Sequence, residues 1–316
     1  MNSAVNFEGV FPILVTPFME DGQLDLESFD RLIRFMVELG VDGVTILGVL
    51  GESNRVTDRE RERAVKAAVA AAGAKLPIVV GTSHRGTLAT RELSQMAEEL
   101  GAAAVMVTPS QEPGHNEERI YQYYRQVAEG MSLPIVVQDH PASTQVQMSV
   151  PLLLRLVEEV PQVACFKQES VPTPPKTRLL IEGMTQRKVP ILTGLGALYG
   201  LFDLLSGSSG FMTGFAFPEV LMGMVKAMRG QQPEQVAAIY QRFLPLIVFE
   251  QQPGIAVRKE IFRLRGVITS SAVRHPGAGL QPFAAEQLQI ILNQVLPGVD
   301  LTKPLTAAYV NGTEPG

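Results

Sequence analysis

Val163-Ala164-Cys165-Phe166-Lys167-Gln168-Glu169 is an apolar run that ends on one lysine, with a glutamate two residues later. Pro161 precedes it and Val171-Pro172-Thr173-Pro174-Pro175 follows it. A short uncharged run between such breakers reads as a buried strand. Side chains alternate across a strand, which puts Cys165, Lys167 and Glu169 on one face. An ammonium emerging beside a buried strand loses hydration, which lowers its pKa and leaves neutral amine able to attack a carbonyl. A lysine that merely marks a strand end and reaches solvent fits the same local pattern.

Outward from this run, strand and helix patterns alternate along the chain. Strands are predicted at 9–15, 43–47, 77–81, 103–108 and 134–138 before it, and at 190–193 and 210–215 after it. Between them, Leu26, Phe29, Leu32, Ile33, Met36 and Val37 recur at helical spacing, and Thr57-Asp58-Arg59-Glu60 has capping-box spacing. Further helices are expected at 87–100, 117–131, 150–160, 176–184 and 197–205. Eight strand-helix units at intervals of roughly 20 to 35 residues predict a closed parallel (β/α)8 TIM barrel. The strands are apolar throughout, as parallel strands buried on both faces should be.

A doubly wound open sheet uses the same alternation, but the first strand runs into Thr16-Pro17-Phe18 and not into a glycine-rich dinucleotide fingerprint. Helices predicted at 218–228, 234–249, 255–264 and 286–296 exceed a minimal barrel. The expected organisation is therefore a barrel over 1–229, a C-terminal helical extension over 230–300 and a loose tail over 301–316, which lacks periodicity.

Composition narrows the function classes. The 316 residues are 46% hydrophobic and 19% charged, with a net charge of −5 and no Lys/Arg-rich block, so no nucleic-acid partner is expected. Cys165 is the single cysteine; this excludes an intrachain disulfide framework and fits a reducing compartment. The N-terminus has no positively charged, apolar leader pattern, and no run reaches the roughly 18 apolar residues of a membrane span. A cytoplasmic soluble protein is expected, with no membrane partner. His84, His115, His140 and His275 show no zinc-binding spacing, and neither metal nor cofactor is expected.

In a barrel of this kind the active site lies at the C-terminal ends of the strands. That rule gathers Thr16, residues 48–53, Thr108, Gln138, Lys167, Thr193 and Phe215 at one mouth. The glycines of Gly48-Val49-Leu50-Gly51-Glu52 allow close backbone approach and can present N–H groups to an anion such as a carboxylate. A tight strand-to-helix turn without a ligand fits equally well. Glu52 reads as a carboxylate holding neighbouring amides.

These pieces together resemble the dihydrodipicolinate synthase and N-acetylneuraminate lyase family of class I aldolases and dehydratases. The matching residues are Val15-Thr16-Pro17-Phe18, the turn from Gly48 to Glu52, Val107-Thr108-Pro109, Pro141 and Phe166-Lys167. The resemblance implies a (β/α)8 barrel with a C-terminal helical extension, a homotetramer or homodimer, and a small-molecule 2-oxo acid substrate held as a Schiff base on Lys167. Gly48, Val49 and Leu50 would then hold the substrate carboxylate, with Thr193 donating to substrate and Phe215 beside it.

Departures from the family pattern bear on the reaction. Gln138-Asp139-His140-Pro141 stands where the family has Y-N-x-P, so the proton-relay tyrosine is replaced by Gln138. The tyrosine pair after the fourth strand is missing, both threonine hydroxyls of the turn are replaced by Val49 and Leu50, and Ser143 stands where the synthase has its arginine. Dihydrodipicolinate synthesis is therefore not expected.

A Schiff-base enzyme still requires a base. Glu169 is the candidate, although an acidic loop residue beside the Pro172 to Pro175 segment fits the same position; a K-x-E pattern with a missing tyrosine resembles the 2-keto-3-deoxy sugar acid dehydratase branch. Gln138 is expected to orient a hydroxyl or water. Of Asp139 and His140, no more than one should enter the mouth, because neighbouring strand residues point oppositely. Three readings remain open at this point: dehydration of a 2-keto-3-deoxy sugar acid, a pyruvate-releasing aldolase, and an inactive barrel that binds a 2-oxo acid.

Overall fold

The structure, a computed structural model, describes residues 5–252 and 254–313. Eight short strands, β1 Gly9–Val10, β2 Val44–Ile46, β3 Ile78–Gly81, β4 Ala104–Val107, β5 Ile135–Asp139, β6 Val163–Gln168, β7 Ile191–Thr193 and β8 Gly210–Phe211, pair in parallel in the order β1-β8-β7-β6-β5-β4-β3-β2. A bridge between Ile13 and Thr45 closes the ring. There the Leu14 N–H donates to the Thr45 carbonyl and the Thr45 N–H to the Pro12 carbonyl, each at 2.8 Å. Pro12 has no N–H to offer, but at the seam only its carbonyl is needed. The chain is a (β/α)8 barrel, as the strand-helix alternation predicts. β1 and β8 are shorter than expected, and they meet where only glycine fits: a Cβ on Gly210 would stand 1.9 Å from the Gly9 carbonyl oxygen.

Strand alternation sorts the core into two layers. Val79, Met106, Val136, Cys165, Leu192 and Met212 fill the barrel interior. Their strand neighbours, among them Val80, Val105, Val137, Phe166 and Ile191, pack under the helices. Helix starts follow the local signals: Asp25 caps Leu26–Leu39 by accepting from the Ser28 N–H, and Thr57 and Glu60 form a reciprocal capping box on Asp58–Ala72. The proline-rich stretch after β6 ends the strand and also opens the next helix, Thr173–Gly183, earlier than predicted. Prolines are tolerated in a first turn, where N–H groups have no helical partner.

After Pro218–Arg229 the chain continues through helices Pro233–Gln251, Ile255–Leu264 and Pro282–Val295. A loose tail from residue 301 does not hold for the described residues. Ala307–Val310 forms a short helix with Tyr309 and Val310 buried, and the Arg242 guanidinium lies 4.2 Å from the Tyr309 ring centroid. This anchoring comes from single side chains on a short segment, which leaves no periodic pattern. Residues 314–316 lie outside the described residues. Among the described residues, no helix is long and apolar enough to cross a membrane.

The tail is fastened at a buried ion pair. Arg265 pairs with Glu219, donates to the Ala216 carbonyl at 2.7 Å and lies 4.7 Å from the ring centroids of both Phe35 and Phe217. Glu219 also accepts from the Leu305 N–H at 3.1 Å. Removing one partner of such a pair strands the other charge. Arg265→Met is expected to destabilise the fold by about 3–5 kcal/mol. Urea denaturation measures this, and a loss under about 1 kcal/mol would mean that Glu219 is solvated.

Candidate active site

Lys167 and Gln138 sit opposite each other in the β5–β6 register, each at the inward position two residues beyond an interior core residue, Cys165 and Val136. The ladder runs one step further, the Glu169 N–H donating to the Asp139 carbonyl at 2.9 Å, so Glu169 keeps the inward face. The three side chains meet. Lys167 Nζ lies 2.9 Å from Glu169 Oε2, and the Gln138 amide donates to that same oxygen at 2.6 Å. The other oxygen, Oε1, accepts from the Leu195 N–H at 2.9 Å. Lys167 and Glu169 are each 5% exposed.

Burial pushes the Glu169 carboxyl upward, but the Lys167 charge, His140, the Leu195 N–H and the Gln138 amide outweigh it. The net effect holds Glu169 below its ordinary value, as a carboxylate. The sequence suggested that Gln138 orients a hydroxyl or water; its amide also donates to Glu169 Oε2, so it holds the carboxylate as well. Gly194 makes room for this arrangement, since a Cβ there would stand 2.2 Å from Glu169 Cγ and Oε1.

Of the neighbouring pair, His140 faces the site and Asp139 does not. His140 Nδ1 lies 3.8 Å from Glu169 Oε2 and 2.8 Å from Ser143 Oγ. Burial, opposed by Glu169 and reinforced by Lys167, holds its imidazole below the usual value. Asp139 turns outward to Lys176, 2.5 Å away. The contact of His140 with Glu169 was not singled out from the sequence. The inward parity at Gln138 and Lys167 was the available signal, and the bend after β5 that brings His140 back was not readable.

Two expected site residues lie elsewhere. Thr193 follows the inward Leu192 and so points outward, where its hydroxyl donates to Ser208 Oγ at 2.9 Å. Phe215 belongs to the core under the helices, its ring 6.1 Å from that of Phe217. Neither reaches the lysine face, because strand parity overrides position at a strand end.

The turn after β2 is a 3-10 helix, Val49–Gly51, entered from Gly48. Val49 and Leu50 open it, so their own N–H groups have no partner inside it. The turn is fastened by Thr16, whose hydroxyl donates to the Gly51 carbonyl at 2.6 Å. Leu50 packs on the barrel interior, while Val49 is 47% exposed. Glu52 is fully buried in the left-handed region, at φ 53°. Its carboxylate meets Lys259 Nζ at 2.5 Å, Arg55 Nη1 at 2.9 Å and the Arg274 N–H at 3.1 Å. It braces the turn, though its partners are mainly cations and not the neighbouring amides.

A barrel carrying a buried lysine-carboxylate pair at its mouth has the construction of a lysine Schiff-base lyase, and comparison with known proteins agrees. The model of the dihydrodipicolinate synthetase family matches residues 6–295, and the chain belongs to that family. It is accordingly a class I lyase, of a family whose members act on small 2-oxo acids. It is 35% identical to an L-2-keto-3-deoxyarabonate dehydratase of Azospirillum brasilense, covering 94% of this chain and 97% of the relative. To a 4-hydroxy-tetrahydrodipicolinate synthase of Persephonella marina it is 30% identical, over 90% and 97% of the two chains. The crystal structure of dihydrodipicolinate synthase from Rhodopseudomonas palustris superposes with a TM-score of 0.86 at 34% identity, over 91% of this chain and 97% of that one.

The packing of Glu169 on the Gly194 backbone is open to a direct test. Gly194→Ala is expected to push the carboxylate aside and break its bond from Leu195, while Lys167 stays in place. Turnover of the 2-oxo acid substrate should fall about 10²-fold, with borohydride trapping on Lys167 retained. Wild-type turnover in the variant would show that the Glu169 position is not critical.

Proposed function

We propose that the chain dehydrates a 2-keto-3-deoxy sugar acid through a Schiff base on Lys167, with Glu169 as the proton carrier. The observation that carries this reading is the contact of Lys167 Nζ with Glu169 Oε2 at 2.9 Å, on an oxygen that Gln138 also fixes. Gln138 occupies the position where the resemblance places a relay tyrosine, and the adjacent carboxylate supplies the proton transfer that glutamine cannot. Similarity to the Azospirillum dehydratase supports the same choice of reaction.

The chemistry follows from that contact. Glu169 takes a proton from the Lys167 ammonium, and the freed amine attacks the carbonyl at carbon 2. The proton returns as water leaves the carbinolamine, giving the iminium. Glu169 then removes a proton from carbon 3, and the electron pair moves to nitrogen as the neutral enamine. Collapse of the enamine expels the 4-hydroxyl, which leaves as water with the proton held by Glu169. Hydrolysis of the iminium releases the unsaturated 2-oxo acid and restores the lysine, for a net loss of one water.

The timing is favourable. An iminium nitrogen keeps the positive charge that weakens Glu169 as a base, whereas enamine formation removes it, so the carboxyl becomes the better proton holder as it receives the proton. The backbone N–H groups of Val49 and Leu50, with Gly48 as their approach, would receive the substrate carboxylate. We also propose that the enzyme is a cytoplasmic homotetramer or homodimer; the half-exposed Phe202 and Leu205 support an association surface.

Product analysis separates this reaction from a pyruvate-releasing aldolase, which shares the steps as far as the iminium. With five- and six-carbon 2-keto-3-deoxy acids, a dehydrated product should accumulate while a pyruvate-linked assay stays silent. Lys167→Ala should abolish the borohydride adduct. Glu169→Gln should keep the adduct and lose about 10²–10⁴-fold in turnover; normal turnover would remove Glu169 from the mechanism.

The acid limb of kcat/KM should lie below the ordinary glutamate value of 4.5. The depressed Glu169 pKa also adds stability above the unfolded-state value, and this is lost as pH falls through the folded-state value.

A further inference from the structure

The turn assigned to the substrate carboxylate has Val49 and Leu50 at its centre and no hydroxyl of its own. Recognition there depends on where backbone N–H groups point, and so on what fixes the backbone. Thr16 holds the Gly51 carbonyl from one side. From behind, Glu52 is held in a left-handed conformation that non-glycine residues keep only when their surroundings require it. Its fully buried carboxylate supplies that requirement through Lys259, Arg55 and the Arg274 N–H.

Lys259 is distant from this turn in sequence and stands on helix Ile255–Leu264. It is itself fully buried: Nζ lies 2.5 Å from Glu52 Oε1, in ion-pair contact and not a well-aligned hydrogen bond. The same ammonium donates to the Ala272 carbonyl at 2.6 Å and lies 4.4 Å from the Phe18 ring centroid. Arg274 is engaged by Glu60 and Arg55 is partly exposed, so Lys259 is the fully buried cation of the group.

We propose that Lys259 is a positioning residue for the acid-binding turn, so that the C-terminal helices take part in 2-oxo acid recognition through the Lys259–Glu52 pair. The inference rests on the reading that the turn binds the substrate carboxylate. Without the ammonium, Glu52 is a buried carboxylate short of one charge partner. It must take a proton or move, and either change releases the backbone on which Val49 and Leu50 depend. The groups facing Lys259 are Glu52, Arg55 and Arg274, the last tied to Glu60. Burial drives Lys259 down to about 8, with Glu52 opposing and the two arginines adding. The support therefore weakens as the amine loses its proton in mildly alkaline solution.

The experiment compares borohydride trapping on Lys167 by pyruvate and by hydroxyacetone, which has the ketone but no carboxylate. In the wild type, pyruvate should half-saturate trapping at a concentration at least about tenfold lower, a difference of one charge-assisted hydrogen bond or more. Lys259→Met should erase most of that preference by raising the pyruvate value and leaving the hydroxyacetone value unchanged. A purely structural role would lower trapping by both ligands alike. If the wild type shows no preference, the carboxylate reading of the turn fails, and the inference with it. If the wild type prefers pyruvate and Lys259→Met does so equally, the turn reading stands and the inference is overturned. Should Lys259→Met fail to fold, the wild-type preference is measured between about pH 7 and about pH 9.5. A several-fold fall across that interval supports the inference, and a constant preference overturns it.

Discussion

A carboxylate and an ammonium withdrawn from water cost several kcal/mol each, and their mutual attraction offsets this only when the remaining lone pairs and protons are also satisfied. The arrangement around β6 meets that condition for Glu169 with one contact from each side: Lys167 and Gln138 on Oε2, and the Leu195 N–H on Oε1. Each comes from a different strand or strand end, β6, β5 and the loop after β7. The pair can exist only if the barrel closes in one register, because a one-residue slip of β5 would replace inward Gln138 by Asp139 and set two carboxylates together. Closure and charge burial are thus a single constraint. The glycines at 194 and 210 mark where backbone and side chain have no room for an alternative.

Much of this was readable because a parallel barrel has simple rules. Apolar runs alternating with helical patterns gave the eight strands, and the period of two put Lys167 and Glu169 on one face. What failed was a shortcut: Thr193 and Phe215 were placed at the mouth because they end strands, although parity turns Thr193 toward Ser208 and Phe215 joins the helix-side core. The bond from Gln138 to Glu169 was not foreseen, since the sequence cannot show that the carboxylate lies within reach of that amide. The tail was misread for a related reason. Its order depends on Tyr309 and on the Leu305 N–H meeting Glu219, contacts between residues far apart in sequence that leave no periodic trace.

The buried charges on helix Ile255–Leu264 were also illegible, and they explain how the mouth keeps its shape. Arg258 and Lys259 are consecutive, so their side chains leave the helix about 100° apart and reach different loops. Lys259 meets Glu52 in the turn after β2. Arg258 donates to Glu250 at 2.9 Å, beside Gly214 at the end of β8. Burial pushes Glu250 up to about 7 against the opposing Arg258 charge and the Ala216 N–H. Two buried contacts from adjacent residues, Lys259 to Glu52 and Arg258 to Glu250, thus hold the rims of β2 and β8, on either side of the β1 seam where the ladder is shortest.

That location lies beside the shortest stretch of ladder. Between β1 and β2 the ring is joined by one bridge, at which Pro12 contributes only a carbonyl, and by Asp42, whose N–H donates to the Val10 carbonyl at 3.1 Å and whose Oδ2 accepts from the Val10 N–H at 2.8 Å. A barrel weak at one seam would let the turn after β2 drift from the lysine on β6, and a turn without hydroxyls has no flexible donor with which to follow. Rigid bracing from outside the barrel does what a threonine pair could otherwise do by adjusting its side chains. Val49 and Leu50 in place of those hydroxyls therefore fit a turn whose backbone is fixed by a buried ion pair to helix Ile255–Leu264.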